Sequence, residues 1–433
     1  MPPKETCRPA VPPYSDPLPD SRVPDLTPAG SLFNNCDVSY GLSFFAACAK
    51  HAEETFHAQH VFIIASSTLV RTTDTLDALR GALGAKVVGV KFGLKEHTYF
   101  SDVIAIAEEC RKLDVDLIVT LGGGTLSDAA KMVSLALAND ITQSADLLNL
   151  PTSKTVVGTV HAKLPAVPVI CIATTLSAGE FTNAAGVTDD RDNKKHQFIF
   201  GKAIYLVIYD AELVTAHTPL RLFLQSGFRS VDHCVESLCS IYSTELSEMH
   251  AKIGLAQLVP GLLRCRADDG EIRADVEARL LCQLASIHAN ATTFRVYNPS
   301  GGSHAIGHML GPFGVGHGHT SGILLPAVCK YNARHGADVD RQEKVARLLW
   351  RMPEMRRLAE SKGLAEETAD LGDVLDILVR ELGMPRTLAE VGVGRDRFEQ
   401  LAEYSVYDIW AATNPVPLTK KEQVMEILEM VAE

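Results

Sequence analysis

The stretch Asp116-Leu-Ile-Val-Thr-Leu-Gly-Gly-Gly-Thr-Leu-Ser-Asp-Ala-Ala-Lys131 decides the fold. Residues 116–121 have the continuous apolar character of a buried strand, and they run straight into Gly122, Gly123 and Gly124. An apolar helical pattern follows, to Ala138. Glycines between a strand and a helix N-terminus let backbone N–H groups approach a phosphate, and the helix dipole favours its charge. A plain tight turn would use the same glycines, but the strand before and the helix after favour phosphate binding. The spacing is not GxGxxG and no GK[ST] follows, so neither the usual dinucleotide fingerprint nor a P-loop is present.

Outward from that loop, strand and helix patterns alternate. Residues 60–65, 86–90 and 167–173 read as strands, and 73–83 and 101–113 as helices. Such alternation implies a parallel sheet covered on both faces. A second polar turn, Ala173-Thr-Thr-Leu-Ser-Ala-Gly-Glu180, also leaves a buried strand. Thr174, Thr175 and Ser177 offer hydroxyls to a ribose, a phosphate or a nicotinamide amide. Both turns lie at carboxyl ends of strands, where ligands gather in open α/β sheets. Residues 140–164 have weak periodicity and read as a loop. After Asp210 the strand signals fade and helical patterns take over at 226–240, 247–265, 272–290, 341–351, 371–382 and 420–431. The expected organisation is a Pro-rich strap or tail over 1–34, an α/β domain over 35–210 and an all-helical domain over 211–433.

A chain of 433 residues exceeds the size at which single cores stop growing, consistent with two domains. A net charge of −12 argues against nucleic acid or an anionic membrane as partner. No run reaches the ~18 apolar residues of a membrane span, and the N-terminus lacks the pattern of a secretory signal. Ten dispersed cysteines without a CxxC pair fit reduced thiols, so a cytosolic location is expected.

The segment Gly301-Gly-Ser-His-Ala-Ile-Gly-His-Met-Leu-Gly-Pro-Phe-Gly-Val-Gly-His-Gly-His319 holds four of the chain's 15 histidines. His304 and His308, four apart, stack on one face of a helix. The Gly and Pro residues after Leu310 end that helix, and a turn brings His317 back toward its start. Imidazole suits both proton transfer near neutral pH and metal ligation. A lone histidine would read as an ordinary polar residue; a spaced trio beside several glycines reads as an active site.

Taken together, these segments resemble the iron-containing alcohol dehydrogenase family, and within it the maleylacetate reductases. The family's GGGSxxDxAK is here GGGTLSDAAK. Its PTTxxxxE turn is ATTLSAGE, and its DPxL junction is Asp210-Ala-Glu-Leu213. The helix motif HxxE is His233-Cys-Val-Glu236, and the His-rich segment matches up to Gly311. Near the C-terminus Gly383-Met-Pro-Arg-Thr-Leu-Ala-Glu-Val-Gly392 and Asn414-Pro-Val-Pro-Leu-Thr419 also match. The resemblance spans roughly residues 35–433. It implies a Rossmann-like dinucleotide domain followed by a helical catalytic domain, in a dehydroquinate synthase-like architecture with the active site between them. Gly122, Gly123, Gly124, Thr125 and Asp128 would hold an NAD(P) pyrophosphate, with Thr174, Thr175 and Ser177 along the cofactor. Where many members carry an Asp that binds the adenine ribose, this chain has Ser66, which removes repulsion of a 2′-phosphate and admits NADPH as well as NADH. A homodimer is usual for the reductases.

One departure matters. Metal-dependent members hold zinc or iron with one Asp and three His; the His map onto His233, His304 and His317, and the Asp position is Arg229. A guanidinium stays charged and does not ligate. Asp232 is next in sequence but should point about 100° off the ligand face. The expectation is therefore an NAD(P)H-dependent oxidoreductase without a catalytic metal. It would reduce a carbonyl or an activated C=C of a small carboxylated substrate. Arg229 would act as electrophile or carboxylate clamp, and the resemblance gives His308 the role of proton donor. His319 reads as structural or as part of the rim. Alternatively, Arg229 would face solvent or pair with an acid such as Asp232 or Glu236. The competing readings are a non-redox lyase, dehydratase or cyclase using His and Arg, and a nucleotide-binding pseudoenzyme.

Overall fold

The computed structural model describes residues 4–12, 32–95, 98–152, 162–267, 275–295 and 298–433; within these, the side chain of His317 lies outside the described set. The chain divides after Thr218 into two compact units.

The first unit runs β1 (Thr6–Pro9), β2 (Asp37–Tyr40), α1 (Phe44–Glu54), β3 (Val61–Ala65), α2 (Ser67–Thr72), α3 (Thr75–Leu83), β4 (Val87–Phe92), α4 (Phe100–Lys112), β5 (Leu117–Gly122) and α5 (Gly124–Ala138). It continues with β6 (Val169–Ala173), β7 (Ala184–Thr188), β8 (Lys195–Ile199), β9 (Ile204–Tyr209) and α6 (Ala211–His217). Seven strands form one sheet in the order β1-β2-β9-β6-β5-β3-β4, and β7 pairs with β8 separately. Only β1 runs antiparallel within the large sheet. β3, β5 and β6 are buried along their whole length, as a parallel sheet covered on both faces requires. From β3 the chain crosses outward to the edge strand β4, then returns to place β5 on the other side of β3. That reversal is a topological switch point, and the carboxyl ends of β3 and β5 flank it. Ser66 and Gly122 stand there.

Two sequence expectations need correction. The Pro-rich start is not wholly a strap or tail, because Thr6–Pro9 pairs with β2, in the register Thr6↔Tyr40 to Pro9↔Asp37. Glu5 pins that strand: its Oε1 accepts from Ser39 Oγ at 2.6 Å and lies 2.7 Å from His51 Nε2. Residues 13–31 lie outside the described residues. The helical part opens at Pro219 rather than at 211. Asp210 caps α6 by accepting from Leu213 N at 3.0 Å, and it also accepts from Phe44 N at 2.8 Å. Thr218 Oγ1 then donates to Thr174 O at 3.0 Å, so α6 is bound to the sheet unit at both ends. In the expected 140–164 loop, Ser144–Asn149 forms a 3₁₀ turn, and residues 153–161 lie outside the described residues.

The second unit contains α7 (Leu220–Cys239), α8 (Glu245–Arg266), α9 (Val276–Phe294), α10 (Gly302–Leu310), α11 (His317–Arg334), α12 (Val339–Trp350), α13 (Pro353–Ser361), α14 (Leu371–Glu381), α15 (Phe398–Ser405) and α16 (Lys421–Met430). Gly254 lets α8 press close to α7 and α9, since a Cβ there would meet Cys234 Sγ at 2.7 Å and Ala289 N at 3.5 Å. α7 is buried along most of its length, which carries Arg229, Asp232, His233 and Glu236 into the interior. No helix among the described residues is long and apolar enough to cross a membrane.

Candidate active site

In the sheet unit, Gly122 has φ +153, and a Cβ there would meet Leu126 Cδ1 at 2.6 Å and Ser66 Cβ at 3.2 Å. Gly123 is the N-cap of α5 and leaves that helix without a side-chain cap. The first N–H groups of a helix have no intrahelical partner, so this end is open to an anion. Side chains at Gly123 and Gly124 would run into the second loop, at 3.2 Å from Thr175 Cγ2 and 2.7 Å from Ser177 Oγ. Thr174 N donates to Gly122 O at 3.0 Å, and Ser66 N to Leu121 O at 2.9 Å. Ser66, Gly122, Gly123, Gly124, Thr125, Thr174, Thr175 and Ser177 therefore stand at neighbouring carboxyl ends of β3, β5 and β6. Asp128 is different. Its carboxylate accepts from Gly186 N at 3.1 Å and pairs with buried Lys131 at 2.8 Å, which ties β7 to α5. Asp128 thus has an architectural task in tying β7 to α5.

In the helical unit, α7 and α10 bring their histidines together. His233 Nε2 and His304 Nε2 lie 3.4 Å apart, with ring centroids at 4.3 Å. His304 Nδ1 sits 2.7 Å from Glu236 Oε2, and that carboxylate also accepts from Gly301 N and Ser303 N, each at 2.8 Å. Glu236 thus caps α10 with negative charge at its positive end and orients His304. Asp232 is fully buried, 3.6 Å from His304 Nδ1, and accepts from Ser303 Oγ at 2.9 Å and from Ser321 Oγ. Asp232 thus meets His304 at Nδ1, whereas His233 meets it at Nε2, so Asp232 is buried in the site but stands off the Nε2 face. Successive helix positions differ by about 100°, but α7 is enclosed on several sides, so that a rotated side chain still meets α10 and α11.

Arg229 is partly buried, and its Nη1 lies 3.4 Å from both Thr320 Oγ1 and Ser321 Oγ. It does not project freely into solvent. Burial works against its charge, while Asp232, Glu236 and Asp408 support it. Burial, then mutual repulsion, pushes the Asp232 carboxyl up; burial likewise raises Glu236 against the N–H donors that lower it. Burial first, and the surrounding positive groups second, hold His233 and His304 well below the usual histidine range. His308 follows one turn after His304, with its ring at 85° and 6.3 Å from it. Its Nδ1 lies 2.9 Å from Asp408 Oδ2. His317 opens α11, with its side chain outside the described set. His319 lies 3.5 Å from Arg221 Nη2.

Two contacts escaped the sequence reading: the bond of Glu236, already quoted in the HxxE motif, to His304, and that of Asp408 to His308. Glu236 carried a usable signal, because its i+3 spacing from His233 places both on one helix face. Asp408 carried none, since it lies 100 residues beyond His308 in a segment of ordinary composition.

The donor set can be tested against a metal. Asp232, Glu236 and His304 could approach one ion together. Their facing atoms, however, are already engaged by N–H and O–H donors and by His304 Nδ1 itself. On the opposite, Nε2 side stand His233 and His304. Among the described side chains, no third His, Cys, Asp or Glu completes a group there. Where a carboxylate would offset a divalent charge, α7 presents the Arg229 guanidinium. The third family position, His317, has its side chain outside the described set, and Asp232 Oδ1 and His233 Nδ1 are buried without a hydrogen-bond partner among the described residues.

Family patterns match the chain twice: iron-containing alcohol dehydrogenase over residues 42–211, and the C-terminal part of the Fe-containing alcohol dehydrogenase family over 223–432. Dehydrogenase FUM7 of Gibberella moniliformis is 36% identical over 91% of this chain and 96% of its own length. Dehydrogenase ALT3 of Alternaria alternata is 34% identical over 84% and 97%. The crystal structure of maleylacetate reductase from Agrobacterium tumefaciens superposes with a TM-score of 0.69 at 20% identity, covering 93% of this chain and 96% of that one. The chain belongs to the iron-containing alcohol dehydrogenase family.

Proposed function

We propose that this protein is an NAD(P)H-dependent oxidoreductase that reduces a carbonyl or an activated C=C in a small carboxylated substrate, without a catalytic metal. Membership of an oxidoreductase family supports redox chemistry. The uncapped α5 N-terminus, with Gly123 and Gly124 opening it, supports binding of a dinucleotide pyrophosphate. Ser66 at the switch point supports acceptance of NADPH, because the residue that follows β3 is a neutral Ser rather than an acid that would repel a 2′-phosphate.

The observation that carries the reading is Arg229, one helical turn before His233 and set against Thr320 and Ser321. The bound nucleotide supplies hydride. Arg229 fixes a substrate carboxylate, or stabilises the oxyanion or enolate that develops. His308 delivers the proton. His304, oriented by Glu236, packs against His233 as the wall beside them.

The test starts with protein purified without chelator. Its metal content is measured, NADH and NADPH are titrated, and absorbance of the reduced nicotinamide is followed with maleylacetate as first compound. Substoichiometric metal, binding of either nucleotide, and a large loss of turnover in Arg229→Ala are expected. Unchanged turnover and substrate affinity in Arg229→Ala would end this assignment.

One distance favours a second reading. Zinc–nitrogen bonds of about 2.0–2.1 Å put two nitrogen ligands of a tetrahedral ion about 3.4 Å apart, the separation found between His233 and His304 Nε2. One equivalent of zinc or iron in the purified protein would establish it.

A further inference from the structure

The contact between His308 and Asp408 joins two segments far apart in sequence. Asp408 Oδ2 lies 2.9 Å from His308 Nδ1, with the carboxylate 9% and the imidazole 28% exposed. The other oxygen, Oδ1, accepts from Trp410 N at 2.9 Å, so the carboxylate is held from behind. Asp408 N in turn donates to Ser405 O at 3.1 Å, which fixes the residue to the end of α15.

The chain after Asp408 is attached at the opposite end of the same helix. Thr413 Oγ1 donates to Ser300 O at 2.7 Å, and Gly302 N donates to Asn414 Oδ1 at 3.0 Å. Asn414 is buried and is tied further to Asn332 and to Val416 O. Residues 408–414 therefore span α10 from its first turn, at Gly302, to its last, at His308. The span is held at one end by the Thr413 and Asn414 side chains and at the other by Ser405 O and Trp410 N, and so sets the distance between the carboxylate and the imidazole.

We infer that Asp408 is a positioning residue for His308: it accepts a hydrogen bond from Nδ1–H, fixes one tautomer and one ring orientation, and leaves proton exchange with the substrate to Nε2. The inference rests on the reading of His308 as proton donor. A second ring nitrogen held by an acceptor is the usual way in which a protein sets a histidine tautomer. When His308 gives up a proton, Nδ1–H stays with Asp408 and the Nε2 proton leaves. When it is recharged, Nε2 takes a proton from solvent, and the pair returns to imidazolium and carboxylate. The charges facing this pair are Arg229 and His233 on α7, His304 on α10, and Asp408 itself.

The test is nitrogen NMR on protein labelled at histidine, with the His308 signals identified by their loss in His308→Asn. The native protein is expected to show the Nδ1–H tautomer at pH values where the ring is neutral. Asp408→Ala should give a mixture of tautomers, and Asp408→Glu should restore the native signal. An Nε2–H tautomer in the native protein, or an unchanged tautomer in Asp408→Ala with a native melting temperature, overturns the inference. If Asp408→Ala does not fold, Asp408→Asn, which keeps the shape, decides by the same signals. Turnover of maleylacetate separates the two claims. His308→Asn should lose on the order of 10²-fold or more; Asp408→Asn should lose about tenfold with nucleotide affinity unchanged. Full activity in His308→Asn removes the proton-donor reading and leaves the tautomer result standing.

Discussion

Glu236 Oε2 lies 2.7 Å from His304 Nδ1 while the same carboxylate accepts from Gly301 N and Ser303 N. One side chain on α7 thus closes the start of α10 and sets the orientation of a site histidine. Glu236→Gln keeps the shape, but one end of an amide is a donor and cannot accept from all three partners. The variant should lose about 2–3 kcal/mol, and Glu236→Ala about 3–5 kcal/mol, because a buried partner is left uncompensated. Urea unfolding measures both. A loss below about 1 kcal/mol in the alanine variant would mean that α10 starts without this anchor.

The glycine loop gives a prediction that separates folding from ligand binding. In Gly124→Ala the new Cβ meets only Ser177 Oγ, at 2.7 Å, and Ser177 is exposed, so its hydroxyl can turn aside. Stability should change by less than about 1 kcal/mol, since alanine also favours the helix. A phosphate approaching the α5 N–H groups has no such freedom, and NADPH affinity should fall by about tenfold or more in calorimetric titration. Equal affinity in the variant would place the pyrophosphate elsewhere. Ser66→Asp should weaken NADPH about tenfold more than NADH, by repulsion of the 2′-phosphate.

Arg229 makes metal content a test of a single position. Arg229→Asp removes a cation and restores a carboxylate one turn before His233, on the face that already holds two Nε2 atoms 3.4 Å apart. The variant should retain about one equivalent of zinc through desalting, read by elemental analysis, where the native protein retains far less. If both proteins bind the same amount, Arg229 is not what sets the metal affinity.

The distribution of these features explains what the sequence made legible. Residues 116–131 exposed the strand, loop and helix because each obeys a local rule: an apolar run, glycines, then helical periodicity. β3 and β6 were visible for the same reason. β1 was not, because Thr6-Cys-Arg-Pro9 has no apolar alternation and is held by Glu5 reaching Ser39, Lys50 and His51. His304 and His308 could be paired by their four-residue spacing. Asp408 could not, since only the span from Ser405 to Asn414 brings it to His308. The contact of Asp232 with His304 Nδ1 was not legible, because 14 residues of α7 are buried and the helix packs on more than one side. Local chemistry reads directly from sequence; contacts made by tertiary anchors do not.

A buried histidine pair outside the site should contribute to the loss of stability in acid. His250 on α8 is fully buried, with Nδ1 2.9 Å from His288 Nδ1 on α9. Burial first, then His288 and Arg295, push His250 down from 6.5 to about 3. A neutral histidine in the folded state that charges readily when unfolded gives stability that is complete above about pH 6.5 and lost as pH falls toward 3. In that window the unfolded chain binds the extra proton, so the slope reaches up to about 1.4 kcal/mol per pH unit. His233 and His304 act in the same direction. Asp232 and Glu236 act oppositely, because carboxyls raised by burial lose their contribution as pH rises from about 4 toward their folded values. Comparison with His250→Gln isolates the one term, since an amide still pairs with His288 but does not titrate. Between pH 6.5 and 4.5 the native protein should lose stability more steeply than the variant, by up to about 1.4 kcal/mol per unit, in urea unfolding at each pH. Parallel curves would show that His250 is charged, or solvated, in the folded protein.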